Sequence, residues 1–161
     1  MTDLNYIKAT IQLAEDNVAR GGQPFGAILT TKFGTVLAEG VNESYIDNDC
    51  TAHAEIQALR NAGKQHKTTS FAGATMYASG KPCAMCMAAM IQAGVDKVVY
   101  CADDDVGEAF GWSTEYLYER MQRNFGEQGV EVVHVPLDEK TAVFEQYQAK
   151  HGKGSNEQMK G

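Results

Sequence analysis

The stretch TMYASGKPCAMCMAAMIQAGVDKVVYCA, residues 75–102, narrows the fold more than any other part of the chain. ATMYAS reads as a short strand. KPCAMCMAAMIQAG after it reads as a helix, with Pro82 at the first helical position, where no N–H is missed. KVVYCA then reads as a second strand. Strands joined through helices take right-handed crossovers, and the sheet they build is covered on both faces.

The rest of the chain extends this pattern. Leu4, Ile7, Ile11, Ala14 and Val18 recur at three- and four-residue spacing, the signature of one helix face, before Gly21, Gly22 and Pro24 end the run. FGAILTT and TVLAEGVN, separated by the turn-like KFG, read as an antiparallel hairpin with Asn42 where its second strand ends. CTAHAEIQALRNAG reads as a helix with Asp49 or Thr51 as cap and Gly63 as stop, which puts His53 and Glu55 in its first turn. An acidic loop follows KVVYCA. Beyond it come a helix near Thr114 to Phe125, a strand VEVVHVP, and a last helix from about Asp138 to Lys150.

The expected architecture is a three-layer α/β/α sandwich around a central five-stranded mixed sheet, with the hairpin at one edge. At 161 residues and 43% hydrophobic content, the chain suits one compact domain, residues 1–151. The composition of residues 152–161 is that of a flexible tail.

Composition excludes several functions. The net charge of −7, with acid concentrated in CADDDVGEAF, disfavours a nucleic-acid partner, whose phosphates are bound by clustered Lys and Arg. No run of 18 or more apolar residues and no basic leader followed by an apolar block occurs, so no membrane association and a soluble, cytoplasmic protein are expected. Four cysteines are too few for a disulfide scaffold, and in a reducing compartment they remain thiols.

On a helix, Cys83 and Cys86 stand one turn apart at the end where the dipole favours thiolate. Spacing alone leaves open a metal site, a redox pair or core residues. As a metal site, two thiolates call for Zn²⁺ and a third ligand. His53 begins a helix that follows a strand, as the cysteine helix does, so His53, Cys83 and Cys86 can meet at one sheet edge. Three protein ligands leave a position for water, and Glu55, two residues after His53, is placed to act as a base. Cys50 and Cys101 lack spacing partners and read as small buried residues.

HAE at residues 53–55 and PCAMC at 82–86 together form the H-x-E with P-C-x-x-C signature of zinc nucleobase deaminases. The chain thus resembles the cytidine deaminase superfamily. Within it, the likeness is greatest to guanine deaminases and to the tRNA-adenosine and fungal cytosine deaminases. GGQPFGAILT, AEGVNES, TAHAEIQALR and KVVYCA support the resemblance, and GEAFGWSTEYLY is most similar to guanine deaminases.

The resemblance implies a cytidine deaminase-like fold, zinc on His53, Cys83 and Cys86, and Glu55 as the catalytic proton shuttle between water, a ring nitrogen and departing ammonia. It implies a base pocket lined by Asn42, Ala54 and the backbone around Phe25, Gly26 and Ala27. Trp112 and Tyr116 are available to stack, and Glu115 to accept hydrogen bonds. The implied reaction is hydrolysis of the exocyclic amine of a free nucleobase, guanine to xanthine plus ammonia first. Cytosine, isocytosine, another purine or pterin-like ring, a nucleoside or a tRNA adenosine are the alternatives. A homodimer is implied as well, with the segment around Phe144 and Tyr147 closing a pocket. Two residue patterns depart from relatives: Lys81 stands before Pro82 where many have Glu, and GWSTEY lacks an adjacent acidic pair. A non-enzymatic zinc-stabilised or redox interaction module would need a fourth protein ligand or a reactive disulfide, and neither has a candidate.

Overall fold

Helix α1, Asp3–Ala19, buries Tyr6, Ile7, Thr10, Ala14 and Asn17. This face is turned from the expected one, for Leu4, Ile11 and Val18 are 61%, 37% and 51% exposed. Two polar residues occupy the inner face because their hydrogen bonds are satisfied there. Thr10 Oγ1 donates to the Ile7 carbonyl at 2.8 Å. Asn17 Nδ2 donates to the carbonyls of Gln23 at 2.9 Å and Asn42 at 2.8 Å.

This computed structural model describes residues 2–152, so the expected tail lies, apart from Gly152, outside the described residues. Strands β1 (Gly26–Thr30) and β2 (Val36–Val41) form the antiparallel hairpin. β1 also pairs antiparallel with β3 (Thr75–Gly80), and β3 pairs parallel with β4 (Lys97–Ala102). The sheet is mixed, with four strands in the order β2-β1-β3-β4.

Side chains of a strand alternate between faces, and here that sorts the core into two layers. Ile28 and Tyr77 meet Tyr6 and Ile7 of α1. Ala27, Leu29 and Met76 face the opposite way, among Ala54, Ala58 and Ala62 of α3 (Ala54–His66) and Cys86 and Met90 of α4 (Ala84–Ala93). The alanines of α3 are at most 1% exposed. They lie four residues apart, a stripe of small side chains that lets the helix approach the sheet closely. Gly40 of β2 completes the fit: a Cβ there would stand 2.2 Å from the Ala54 carbonyl oxygen and 2.3 Å from the Ala58 nitrogen.

Several boundaries differ from expectation. α3 starts at Ala54 with His53 as its N-cap and runs through Gly63 to His66. Asp49 caps no helix and instead accepts from the Thr51 N–H at 2.8 Å and hydroxyl at 2.7 Å. α4 starts at Ala84, which puts Cys83 at the N-cap and Pro82 just outside. Short helices α2 (Ser44–Asp47) and α5 (Asp104–Ala109) replace loop, and α6 spans Glu115–Met121.

The chain divides into two compact units between Gln122 and Arg123. In the second unit a 3₁₀ turn, Asp138–Thr141, leads into α7, Ala142–His151. The expected fifth strand at 130–136 does not form among the described residues. An extended segment becomes a strand only through a ladder, and this one makes none. Its adjacent valines, Val132 and Val133, are 45% and 72% exposed, and a one-faced alternation could not bury both.

Candidate active site

β2 and β3 run in the same direction because each is antiparallel to β1 between them. Their C-terminal ends therefore reach the same edge, and the helices that follow them start there. His53 caps α3 and Cys83 caps α4, so two of the three proposed ligands occupy helix N-termini, where exposed N–H groups and the dipole favour negative charge. Cys86, one turn into α4, is fully buried.

The three ligand atoms form a nearly equilateral triangle. Cys83 Sγ and Cys86 Sγ lie 3.7 Å apart, and each sulfur is 3.6 Å from His53 Nδ1. Tetrahedral zinc, with bonds of about 2.3 Å to sulfur and about 2.0–2.1 Å to nitrogen, requires edges of roughly 3.8 Å and 3.6 Å. The donor set and its spacing fit Zn²⁺. Among the described residues this is the one group of His, Cys, Asp or Glu side chains close enough together to hold a metal ion.

Electrostatics agree. Contact with Cys86 and the His53 ring holds the Cys83 thiol down at about 4 against the cost of burial. Cys86 is pushed up, by the neighbouring Cys83 and then by burial and Glu55. The two thiols contact each other, and a divalent cation bound to both would displace their protons. His53 is raised chiefly by its contact with Cys83. Glu55, 7% exposed, is raised by burial, and the Cys86 thiol donates to its Oε2 at 3.5 Å.

Above these residues opens a cavity of about 400 Å³, within the usual range for small-molecule sites. Phe25 and Trp112 line it and meet edge to face, ring centroids 5.3 Å apart at 84°. Asn42, 3% exposed, lines it with its amide held in place: Oδ1 accepts the Ser44 N–H at 3.1 Å, leaving the amide NH₂ to donate. Tyr116 lines it too.

Other expected residues stand elsewhere. Gly26, Ala27 and Ala54 are not among the lining residues. The Gly26 N–H donates to Ser79 Oγ at 3.0 Å, while Ala27 and Ala54 pack in the core behind the cavity. Glu115 is exposed and outside the lining; Ser113, Thr114 and Leu117 around it do line the cavity. Of the acidic run, Asp103 and Asp104 line it. Cys50 and Cys101 are exposed rather than buried, and Cys50 lies on the cavity wall.

Sequence reasoning missed Gln23, Ser44 and Asn17. Gln23, 8% exposed, lines the cavity from the loop after α1; its polar side chain within GGQPFG was the available signal. Ser44 lines it with a buried Oγ that has no hydrogen-bond partner among the described residues. Asn17 holds the main chain of Gln23 and Asn42 from behind, and an asparagine inside an amphipathic helix gives no local sign of that role.

Comparison with known proteins adds four findings. Residues 1–102 match the cytidine and deoxycytidylate deaminase zinc-binding region. A guanine deaminase of Bacillus subtilis is 32% identical over 146 residues, 90% of this chain and 93% of the relative. A tRNA-specific adenosine deaminase of Haemophilus influenzae is 32% identical over 118 residues, 71% of this chain and 68% of the relative. The solved structure of Bacillus subtilis guanine deaminase superposes with a TM-score of 0.86 at 30% identity, covering 96% of this chain and 98% of that one.

Proposed function

From the premise that this chain belongs to the cytidine and deoxycytidylate deaminase family and is a zinc-dependent hydrolytic deaminase, we propose that its substrate is a free nucleobase, guanine first. The observation that carries the reading is the cavity: Phe25 and Trp112 form an aromatic wall, His53, Glu55 and Cys83 also line it, and Cys86 is buried beside them. A planar ring can lie against the aromatic surface that the two side chains make together. Guanine, rather than another ring, is favoured by the likeness to guanine deaminase through 90% of the chain.

The chain's own residues divide the work. His53, Cys83 and Cys86 would hold the zinc, which when bound supplies a water acidified toward neutrality. Glu55 accepts the proton of the attacking water and returns protons to the ring nitrogen and the departing ammonia. Burial suits it to this, because a carboxylate with a raised pKa is a stronger base and holds its proton between transfers. Asn42 donates its amide NH₂ to an acceptor on the ring, and the unpaired Ser44 hydroxyl offers a further polar contact. A buried hydroxyl without a partner is what a polar ligand would satisfy.

The carboxylate that accepts from the N1–H and exocyclic amine of guanine is assigned to Asp103, which lines the cavity, in preference to Glu115, which does not. Carboxylates at the mouth also repel phosphates. This favours a free base over the RNA loop that a likeness to a tRNA-specific adenosine deaminase would suggest.

The test is kcat/KM for guanine, cytosine, adenine, isocytosine and guanosine with zinc-loaded protein, beside a tRNA substrate. Guanine leads the series on this account, by roughly ten- to a hundredfold over a base that leaves one buried group unpaired. A lead of tenfold or more for cytosine, a nucleoside or tRNA would overturn the substrate while leaving the deaminase chemistry intact.

A further inference from the structure

We propose that Lys81 is a positioning residue for base binding: paired with Asp104, it clamps the loop carrying Cys83 to the cavity wall carrying Trp112. The proposal rests on reading this cavity as the base site.

The wall has little else to hold it. Residues 112–114 have no regular structure, and neither α5 before them nor α6 after them contains a buried residue. Apolar packing reaches the segment chiefly through the contact of Trp112 with Phe25, and Trp112 supplies one side of the cavity. Polar contacts converge on it instead. Lys81 Nζ pairs with Asp104 Oδ2, and Asp104 Oδ1 accepts the Thr114 hydroxyl at 2.8 Å, so a single carboxylate bridges the Cys83 loop and the wall. The Lys81 main-chain N–H donates to the Ala102 carbonyl at 2.8 Å, which fixes the base of the lysine to the end of β4.

Two further contacts brace the clamp. The Lys81 ammonium lies 5.3 Å from the Tyr118 ring centroid, within cation–π reach, and the Tyr118 hydroxyl donates to the Pro82 carbonyl at 2.7 Å. The wall is tied to α5 by the Trp112 N–H, which donates to the Gly107 carbonyl at 2.8 Å. The Lys81 and Asp104 side chains are 31% and 25% exposed, shielded enough for charge-assisted bonds to hold geometry. Loosening the clamp frees Trp112 from its edge-to-face contact with Phe25 and slackens the aromatic surface against which the ring would lie.

Trp112 is the chain's single tryptophan, so its fluorescence reports the wall directly and independently of turnover. The full-length, zinc-loaded protein is compared with Lys81→Met, Asp104→Asn and the reversed pair Lys81→Asp with Asp104→Lys. Readouts are Trp112 emission and acrylamide quenching, bound zinc, and kcat and KM for guanine. Each single variant is expected to shift emission to the red, increase quenching, and raise KM about three- to fivefold, with kcat and zinc content within about twofold of wild type. The reversed pair is expected to recover most of both signals. Unchanged Trp112 emission and KM in the singles overturns the proposal, as does a reversed pair as defective as they are, or loss of zinc in step with KM. A wild-type protein that deaminates none of the bases would fail the reading of the site, while Trp112 emission and quenching would still decide the clamp.

Discussion

At the scale of residues, the proposed chemistry rests on a few side chains at one sheet edge, and each proposed role can be tested by itself. Glu55 is close enough to Cys86 to share a hydrogen bond, yet the ligand triangle is complete without it. Glu55→Gln therefore keeps zinc and fold while losing turnover, because the amide is similar in size but accepts no proton. General acid–base groups contribute about 10²- to 10⁴-fold, and a residue serving several transfers falls at the upper end or beyond. Steady-state kinetics with metal analysis on the same sample checks this; near-normal activity with zinc bound would remove Glu55 from the mechanism. The residues that line the cavity are harder to read from sequence than the candidate metal ligands. Cys83 and Cys86 stand one helical turn apart, a spacing that coordination favours, whereas Ser44 at the start of α2 and Asp103 at the N-cap of α5 reach the cavity through short helices that no local pattern announces.

At the scale of elements, the triad depends on how closely α3 approaches β2. Gly40 is the hinge of that dependence, since an added Cβ would collide with backbone atoms of α3 rather than with a flexible side-chain end. Gly40→Ala should cost about 1–3 kcal/mol, lower Tm by roughly 3–10 °C and weaken zinc binding by displacing His53. Thermal melts with and without zinc test this, and a variant with unchanged Tm and zinc affinity would show that the approach is not limiting. Most of the element order was legible in the sequence, because hydrophobic periodicity and punctuation by Gly and Pro agreed for α1, the hairpin, and β3 through β4, although α3 runs through Gly63. α1 shows where that reasoning fails: Asn17 and Thr10 take the inner face through hydrogen bonds, which a hydrophobic pattern cannot see. The segment at 130–136 fails for another reason, because β-propensity states what a segment can pair as and not whether an edge is offered to it.

At the scale of the whole molecule, α7 exposes Val143, Phe144 and Tyr147 at 64%, 73% and 54%. A ten-residue helix with its apolar side chains in water is marginal alone. We propose that residues 1–151 serve as one deaminase domain within a homodimer, in which the C-terminal segment covers an active site, the partner's or its own. Truncation after Pro136 should then lower both activity and stability; a monomer by light scattering whose activity survives truncation would contradict this. Among the described residues no helix is long and apolar enough to cross a membrane. Zinc-dependent hydrolysis of a base amine underlies every role proposed above. Its most direct test is ammonia release from guanine by protein stripped of metal and then reloaded, with bound zinc counted in wild type, Cys83→Ser and Cys86→Ser. The account predicts about one zinc per wild-type chain, loss of ammonia release on stripping, recovery on reloading, and depleted zinc in both serine variants. Full turnover by zinc-free protein, or full zinc retention in both variants, would contradict it.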